Sequence, residues 1–457
     1  MGTAEDFRSD MNYAKRDKKD RPLKGLDLFP FDFMKTDPNK SATLDAATVA
    51  GRCPMRGEDF DPFDLSDPFP SYQRLRAEAP VFYDKTIGYW IVSRYADIKA
   101  VFEDWRNFSA ENAQAPMRPL CETAKQVLKR ADFTAYSGLS ARVPPDHTRI
   151  RKAVSSVFTP RRYRALAPFV RDTVGTMLDA MLAKPKGDLV ADLAYDLPAL
   201  TILTLLGVEA EKVAEVKRWA KSRVLLTWGN VSDAEQVAHA ENLVTYWNYC
   251  LAVVAARHAK RMDDLPGDLV ALQQDGVEIT DHEIASFCYS LLTAGHETTT
   301  NLIANGLLAL LEHRGAWTAL VADKAKIPGA IEEILRYAQS VVAWRRKVNA
   351  ATSIGGVQIP EGANLLLLLA SANRDEQVFV NAEQFDIERK DARSHISFGY
   401  GIHFCPGSSL AKMQLQIVIE ELTARVPTLR LAPEQTIDYA RNTSFRAPHS
   451  IRVEWDR

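Results

Sequence analysis

The clearest chemical signal in this sequence is a single cysteine, Cys405, within the glycine-rich stretch FGYGIHFCPG at 398–407. Pro406 suits the first position of a helix because it has no backbone N–H to leave unpaired, so we expect Cys405 at or next to a helix N-cap. The positive end of that helix favours a negative sulfur, and the amides of Gly407 and Ser408 are the expected hydrogen-bond donors. The stretch therefore predicts a thiolate presented to a metal.

A buried, inert thiol is the ordinary interpretation of an isolated cysteine. Here five residues keep a fixed spacing, namely Phe398, Gly401, His403, Cys405 and Gly407. From average composition, a chance match has odds on the order of one in ten thousand. The pattern resembles the haem-binding loop of the cytochrome P-450 haem-thiolate monooxygenases, which have a mainly α fold with a smaller β-rich region. The resemblance implies that Cys405 is the axial ligand to the iron of haem b, and that Phe398, Gly399 and Gly407 contact the haem.

A long apolar run at 280–312 predicts a buried helix, the longest of the chain, which starts at a capping box formed by Thr280 and Glu283. Its middle reads AGHETTTN, and the polar groups there argue against a membrane span. Three successive threonines are unfavourable in a helix by roughly half a kcal/mol each, so local structure does not explain them. Either each hydroxyl bonds the preceding turn of the helix, or Glu297 and Thr298 supply protons.

The same polar segment resembles the oxygen-activation motif of the family through Ala294, Gly295, Glu297 and Thr298, with glutamate where aspartate is commoner. The resemblance implies that Ala294 contacts the haem, that Gly295 leaves room for oxygen, and that Glu297 and Thr298 are catalytic proton donors. A thiolate ligand favours O–O cleavage. The implied reaction is therefore the insertion of one atom of O2 into an organic substrate, while the other atom leaves as water.

Haem propionates need cations or hydrogen-bond donors where the macrocycle is buried. His147 and Arg151 are four residues apart on one predicted helix, a pattern that on its own is more often a solvated basic face. Matching positions in the family bind propionates, as do those of Arg346 and His395. The resemblance therefore implies four propionate contacts, with Arg345 as the competing choice for Arg346.

A charged pair, Glu333 and Arg336, stands three apart in the segment EEILRY. Such pairs are usually exposed and contribute little, but the apolar residues around this one favour partial burial. The segment resembles the Glu-x-x-Arg core motif of the family. We therefore expect a structural pair that holds the chain leading to Cys405.

Substrate contacts are implied by the resemblance for Leu291, Val342, Trp344 and Phe445. These side chains are apolar, so we expect a small hydrophobic or aromatic substrate. The sequence does not choose between hydroxylation and O-dealkylation.

The two electrons of the reaction must come from elsewhere. The sequence has no GxGxxG between a predicted strand and a predicted helix and no iron–sulfur set of cysteines. A separate ferredoxin or flavodoxin with its reductase is therefore expected. Its predicted docking site is a basic patch on the cysteine side of the haem, formed by Arg142, Arg149, Lys152, Arg161 and Lys412.

Three other functions stay open. A peroxide-driven peroxygenase would need no redox partner, although the pair of Glu297 and Thr298 argues against it. A haem sensor or carrier would bind ligands without turnover. A cysteine hydrolase that uses Cys405 and His403 is disfavoured, because the two residues are only two apart in a glycine-rich loop and no orienting group is visible.

Composition sets the remaining limits. The 457 residues carry a formal net charge of -2 without a dense basic run, so no nucleic-acid partner is expected. Five scattered cysteines predict a reducing compartment without disulfides, and the lack of a leader-like apolar run predicts a cytoplasmic protein with no membrane anchor. Residues 1–60 are expected to form an N-terminal extension, whose apolar stretch at 26–34 could pack onto the body. Residues 61–457 are expected to form a single haem-thiolate monooxygenase domain.

The periodicity also predicts the main elements. Apolar runs at 81–84 and 89–95 predict a β-hairpin. Helical spacing dominates between 146 and 312, and strand-like runs begin at 341. The segment at 109–143 is expected to be irregular, and such long connections are often functional.

Overall fold

The computed structural model describes residues 60–135 and 138–456. The expected extension over 1–60, with its apolar stretch at 26–34, lies outside the described residues except for Phe60. Within the described ranges, no helix is both long and apolar enough to cross a membrane. The elements given below all belong to the segment predicted as the monooxygenase domain.

Helices are the commonest elements in the described chain. In chain order the α-helices are α1 (Phe69–Glu78), α2 (Tyr95–Glu103), α3 (Glu122–Arg130), α4 (Asp146–Val157), α5 (Pro160–Ala165), α6 (Ala167–Leu182), α7 (Leu197–Leu205), α8 (Val213–Trp228), α9 (Asp233–Ala259), α10 (Leu265–Gln274), α11 (Asp281–Ala294), α12 (Glu297–Glu312), α13 (Arg314–Ala322), α14 (Ile327–Tyr337), α15 (Leu369–Ala372) and α16 (Ser408–Arg425). A π-helical turn, Val190–Ala194, precedes α7, and short 3-10 turns lie at Ala210–Lys212, Lys324–Lys326, Ala392–Ser394 and Gly401–His403.

The strands form three small sheets in the described residues. They are β1 (Val81–Asp84), β2 (Tyr89–Val92), β3 (Phe108–Ser109), β4 (Gly187–Asp188), β5 (Trp344–Val348), β6 (Thr352–Ile354), β7 (Val357–Ile359), β8 (Asn364–Leu367), β9 (Arg430–Leu431) and β10 (Arg452–Glu454). The largest sheet has the order β1-β2-β8-β5-β3, in which β2 and β8 are parallel and the other neighbours are antiparallel. The predicted hairpin is confirmed as β1 and β2. The mainly α fold with a smaller β-rich region is confirmed as well.

The capping box at the start of α11 forms as predicted. The Glu283 amide donates to the Thr280 hydroxyl at 3.2 Å, and the Glu283 carboxylate accepts from the Thr280 amide at 2.9 Å. These two bonds satisfy amides that the helix itself leaves without partners. The start of α11 is therefore fixed by local chemistry alone.

The single helix predicted over 280–312 is wrong, because the run forms two helices, α11 and α12, separated at Gly295 and His296. A Cβ at Gly295 would stand 2.5 Å from a methyl carbon of Ile202 on α7, so α7 packs directly against the break. The longest unbroken helix of the described chain is α9. The irregular segment at 109–143 also contains a short helix, α3, which the sequence did not reveal.

Two apolar clusters enclose the helices that carry the break. One cluster surrounds α11 and buries Trp219, Tyr246 and Trp247 from α8 and α9. The other surrounds α12 and joins it to α6, α14 and α16. Because protein interiors are close-packed, these two clusters fix the position of the break between α11 and α12.

The pair of Glu333 and Arg336 on α14 is fully buried, as its predicted structural role requires. Both side chains have 0% exposure, and Arg336 donates to the Glu333 carboxylate at 2.7 and 2.8 Å. Arg336 also donates to the carbonyls of Asn373, Ala382 and Gln384 at 2.9, 2.7 and 2.9 Å. The pair therefore supplies hydrogen-bond donors to backbone carbonyls of the irregular chain that leads from α15 towards Cys405.

Candidate active site

The cysteine loop is closed on itself before α16 begins. The Cys405 amide donates to the Phe398 carbonyl at 3.0 Å, and Gly399 and Gly401 have φ values of +72° and +70°. Such angles favour glycine, and a Cβ at Gly401 would stand 2.7 Å from the carbonyl oxygen of Phe102. The two glycines are thus required by the turn and by its contact with α2.

The predicted position of Cys405 at the helix N-cap is wrong by two residues. The N-cap is Gly407, because its carbonyl accepts the first helical bond, from the Ala411 amide at 3.0 Å. The carbonyl of Pro406 instead accepts from the Tyr163 hydroxyl at 3.0 Å. The amides of Gly407 and Ser408 nevertheless donate to the Cys405 sulfur, as expected.

Cys405 is a buried thiol close to a positive charge. Burial raises the pKa of the thiol, while the hydrogen bonds from the two amides and the nearby charge of Arg151 act to lower it. A metal cation at the sulfur would ionise it, since a coordinating thiol is deprotonated by its metal.

Cys405 faces a cavity that ends at the break between α11 and α12. Its lining includes Cys405, Phe398, Gly399 and Gly407 on one side, and Ala294, Glu297 and Thr298 on the other. A Cβ at Gly407 would be 3.8 Å from the sulfur, so only a glycine leaves the surface beside the sulfur flat. The structure therefore brings together the two motifs that are more than a hundred residues apart in the sequence.

Four basic side chains cluster at this cavity, three in its lining and His147 against the ring of His403, and among the described residues none of them pairs with a carboxylate. They are His147, Arg151, Arg346 and His403, which interact electrostatically with one another. The rings of His147 and His403 are 4.2 Å apart, and both ring nitrogens of buried His147 have no hydrogen-bond partner. Burial lowers the pKa of His147 to about 4 and that of Arg346 to about 9. Unpaired buried donors and charges are unfavourable, so this edge fits an anionic group.

The structure decides between Arg345 and Arg346. Arg346 lines the cavity, whereas Arg345 donates to the carbonyls of Ala113 and Ala115 at 3.0 and 2.5 Å on the other face of β5. Neighbouring residues of a strand point to opposite faces. Of the two arginines, Arg346 is therefore the one in a position to meet an anion in the cavity.

His395 is not at the anionic edge, and its predicted role as a propionate contact is corrected. Its Nε2 pairs with the Glu332 carboxylate at 3.2 Å, and its Nδ1 accepts from the Ser397 amide at 3.2 Å. His403 occupies the place at the anionic edge that was expected for His395. The sequence signal that could have identified His403 is its position two residues before Cys405 in the loop.

The break between α11 and α12 exposes Ala294 to the cavity. The Thr298 hydroxyl donates to the Ala294 carbonyl at 2.6 Å, so the preceding-turn bond that was one interpretation of the threonines does form at this position. The space that Gly295 leaves is filled largely by Ile202. Room beside the break therefore comes from the small side chain of Ala294 more than from Gly295.

Glu297 is held in a charged network behind the break. Burial acts to raise the pKa of its carboxyl, but the hydrogen bond from His296 at 3.2 Å and the charges of Lys217 and Lys221 outweigh it, and the pKa is lower than usual. Lys217 is buried on α8, and this burial lowers its pKa to about 8. The negative charges of Glu297 and Asp196 act to raise the pKa but do not outweigh burial. An ionised carboxylate at the cavity wall therefore interacts electrostatically with a buried lysine whose pKa is lowered to about 8.

The other walls of the cavity are mainly apolar and aromatic. Leu291, Trp344 and Phe445 line it as predicted, together with Trp228, whose ring centroid is 4.8 Å from that of Phe445. Val342 does not line it, so its predicted substrate contact is corrected. Its amide and carbonyl bond Ser444 and Ala370, its side chain belongs to the core behind the sheet, and the neighbouring Val341 faces the cavity instead.

The comparisons with known proteins agree with this site. The cytochrome P-450 family model matches residues 327–425, which include the Glu333–Arg336 pair and the Cys405 loop. The cytochrome P-450 monooxygenase PikC of Streptomyces venezuelae is 35% identical over 418 residues, covering 88% of this chain and 93% of PikC. This chain belongs to the cytochrome P-450 family.

Solved cytochromes P-450 share its fold. The structure of cytochrome P-450 CREJ in complex with (4-ethylphenyl) dihydrogen phosphate is 53% identical, covers 87% of this chain and 99% of that chain, and superposes with a TM-score of 0.86. An intact type IV self-sufficient cytochrome P-450 monooxygenase is 38% identical, with 87% of this chain and 52% of that chain covered and a TM-score of 0.83.

Cytochromes P-450 carry haem b, and the residues of this chain fit that cofactor. A buried cysteine with two amide donors faces a cavity with a flat glycine surface beside the sulfur. At its edge, the unsatisfied nitrogens of His147 and the unpaired Arg346 match the carboxylates of a haem. The protein is therefore a haem-thiolate monooxygenase that uses O2, a redox partner and an organic substrate.

The predicted basic patch on the cysteine side is largely neutralised. Arg149 pairs with Glu283 at 2.6 Å, Arg142 approaches the same carboxylate at 3.9 Å, and Lys412 pairs with Glu332 at 2.8 Å. The two other members of the patch, Lys152 and Arg161, are exposed. Three of the five cations of the predicted patch therefore make ion pairs, and its role as a docking site stays a prediction.

Proposed function

We propose that this enzyme oxidises the alkyl group of a small aromatic substrate that also carries a phosphate group. The observation that carries the proposal is the aromatic wall of Trp228, Trp344 and Phe445, which lines the same cavity as the cysteine loop and the helix break. Flat apolar walls favour a planar apolar ligand. The phosphate is proposed because the relative that is 53% identical holds an ethylphenyl phosphate in its structure.

The roles of the side chains follow from their places. When bound, the haem supplies reductive activation of O2, which its thiolate ligand promotes. We assign Cys405 as the ligand to the iron, with the Gly407 and Ser408 amides stabilising its charge. His147, Arg151, Arg346 and His403 hold the propionates, and the aromatic wall excludes water while it orients the substrate. This set replaces His395 of the predicted propionate contacts by His403.

Protons reach the reacting oxygen through the pair beside the break. Glu297 is ionised at neutral pH and lines the cavity, so we assign it to accept a proton and pass it into the cavity, while the Lys217 charge stabilises the carboxylate. The Thr298 hydroxyl donates to Ala294 at rest. By rotating about one bond it donates into the cavity instead.

Thr298→Ala tests this route. We expect the variant to consume NADPH at a rate similar to that of the unmodified enzyme but to divert the electrons to hydrogen peroxide, with product formed per NADPH lower by about 10-fold or more. The measurement compares NADPH loss, peroxide and product in one assay. Thr300→Ala is the matched control, because Thr300 lies in the same helix turn, is buried and does not line the cavity. Full coupling in Thr298→Ala would remove this residue from the route.

The electrons are proposed to come from a separate ferredoxin or flavodoxin with its reductase. Around Cys405, the described surface carries two exposed aromatic side chains, Phe404 at 45% and Tyr400 at 37%. Lys152 and Arg161 lie on the neighbouring helices and are exposed. A small apolar contact together with nearby exposed cations suits an acidic electron carrier. We further propose that 61–457 acts as one catalytic domain in the cytoplasm.

The test is turnover of 4-ethylphenyl phosphate by the haem-loaded enzyme with a ferredoxin, its reductase and isotopically labelled O2. The expected product keeps the phosphate, gains one hydroxyl on the ethyl group and contains one labelled oxygen atom. Product with hydrogen peroxide but not with the reductase system would identify a peroxygenase instead. Ligand-dependent spectral changes without product under either supply would identify a sensor or carrier.

A further inference from the structure

One buried cation on the substrate side of the cavity has no acidic partner among the described residues. Arg223 on α8 has 5% exposure and lines the cavity. It donates to the Tyr289 carbonyl at 3.0 Å and to the Gln114 side-chain oxygen at 3.2 Å, and its guanidinium is 4.5 Å from the Tyr289 ring. A guanidinium has five N–H donors, and these contacts are all to neutral groups. A buried charge of this kind is unfavourable until an anion meets it.

Two further polar groups converge on the same part of the wall. Ser290 lines the cavity, and its hydroxyl is buried without a hydrogen-bond partner. The Gln114 amide donates to Ser140 at 3.0 Å, which fixes the orientation of the Gln114 side chain. Serine hydroxyls, glutamine amides and arginine are the usual ligands of phosphate oxygens. The combination of an unpaired guanidinium and an unsatisfied hydroxyl points to an anionic ligand rather than to packing.

The loop that carries Gln114 is itself anchored. Arg345 donates to the carbonyls of Ala113 and Ala115, the residues on either side of Gln114. Arg345 has 0% exposure and lies on β5. The polar group is therefore preorganised by the sheet, which lowers the entropic cost of binding an anion.

The spacing along α11 sets the distance between the two ends of the substrate. Ser290 and Ala294 are four residues apart in this helix, so they lie on one face and about 6 Å apart along its axis. That span is close to the length of a benzene ring measured between para substituents. An anion beside Ser290 would leave the opposite substituent near Ala294 and Thr298.

We propose that Arg223, with Gln114 and Ser290, forms the subsite that binds the phosphate of an aryl phosphate substrate and selects it over the corresponding phenol. This assignment rests on the proposed function, because it names the residues that recognise the anionic end of that substrate. Its residues are different from the four basic side chains of the propionate edge. A planar guanidinium binds two phosphate oxygens at once, and Arg223 lines the cavity.

The experiment measures binding of two matched ligands by the substrate-induced change in the Soret absorbance of the ferric holoenzyme. The ligands are 4-ethylphenyl phosphate and 4-ethylphenol, and the quantity compared is the ratio of their Kd values. In the unmodified enzyme we expect the phosphate to bind more tightly. In Arg223→Gln we expect that preference to fall by about 10-fold to 100-fold, which corresponds to the loss of hydrogen bonds to a charged group. A carboxylate analogue, 4-ethylbenzoate, distinguishes phosphate recognition from a general preference for anions.

Arg218→Gln is the matched control. Arg218 lies on the same helix, is exposed and does not line the cavity, so the same substitution there should leave the Kd ratio unchanged. Ser290→Ala and Gln114→Leu should each lower the ratio by several-fold, and they keep the test valid if Arg223→Gln loses its haem. Arg223→Lys should retain part of the preference, because it keeps the charge but not the planar pair of donors.

The outcomes separate the two proposals. If the unmodified enzyme prefers and oxidises the aryl phosphate but the substitutions leave the ratio of Kd values unchanged, the subsite is wrong and the proposed function stands. If the enzyme binds and oxidises the phenol at least as well as the phosphate, both the subsite and the proposed phosphate group are wrong. Binding of neither ligand would overturn the substrate class itself.

Discussion

Replacing Cys405 by histidine should abolish turnover and remove the red-shifted Soret band of the reduced carbon monoxide adduct, while the protein still binds haem. A neutral imidazole cannot supply the negative charge that a thiolate gives to the iron. Among the described residues, Cys405 is the only cysteine that lines the cavity. The measurement is the absorbance of the reduced adduct, with haem content determined in the same sample.

Cys121→Ser is the control for this substitution. Cys121 caps α3, where its side chain accepts from the Ala124 amide, and serine is a good residue for that position. The control should therefore keep the fold, the spectrum and turnover. A red-shifted adduct in Cys405→His would mean that another side chain holds the iron, and the assignment of the whole site would fail with it.

The parts of the site that the sequence predicted correctly depend on local chemistry. The glycine-rich loop, the capping box of α11 and the buried pair on α14 each follow from residues a few positions apart. The choice of Arg346 over Arg345 also held, because the alternation of a strand places only one of them at the cavity. The mainly α fold was available from the resemblance and from the spacing of apolar residues.

The incorrect predictions concern features that are set by contacts between distant parts of the chain or by a shift of one residue along a segment. Val342 was named instead of Val341 because the register of the short segment before β5 is set by its bonds to Ser444 and Ala370. The helix over 280–312 breaks because Ile202 packs against Gly295. Neither contact leaves a local pattern in the sequence, so spacing alone could not predict it.

The basic patch failed for a similar reason. Its members were chosen by their positive charge, but Glu283 and Glu332 come from other parts of the chain and pair with Arg149 and Lys412. The choice of His395 over His403 likewise depended on which histidine the loop turns towards the cavity. Glu332 holds His395 away from it. Tertiary ion pairs therefore decided which of the predicted cations were available for binding.

Arg336→Met should destabilise the protein more than any surface substitution, lowering the free energy of unfolding by about 3–5 kcal/mol. The change leaves the fully buried Glu333 carboxylate without its main partner, with Arg389 at 3.2 Å and the Asp386 amide at 2.9 Å as its remaining contacts among the described residues. It also removes the donors from the carbonyls of Asn373, Ala382 and Gln384. Unfolding by denaturant, followed by far-UV circular dichroism and by the Soret band, measures the loss.

The haem should be lost before the helices unfold in this variant, because the carbonyls that Arg336 satisfies belong to the chain that leads into the Cys405 loop. In the unmodified protein the two signals should change together. Arg430→Met is the control, since Arg430 makes ion pairs with Glu454 and Asp456 at an exposed site, where such pairs contribute little. Equal stability of Arg336→Met and Arg430→Met would show that the buried pair does not hold the loop. The turn at Gly399 and Gly401 alone would then have to hold Cys405 in position.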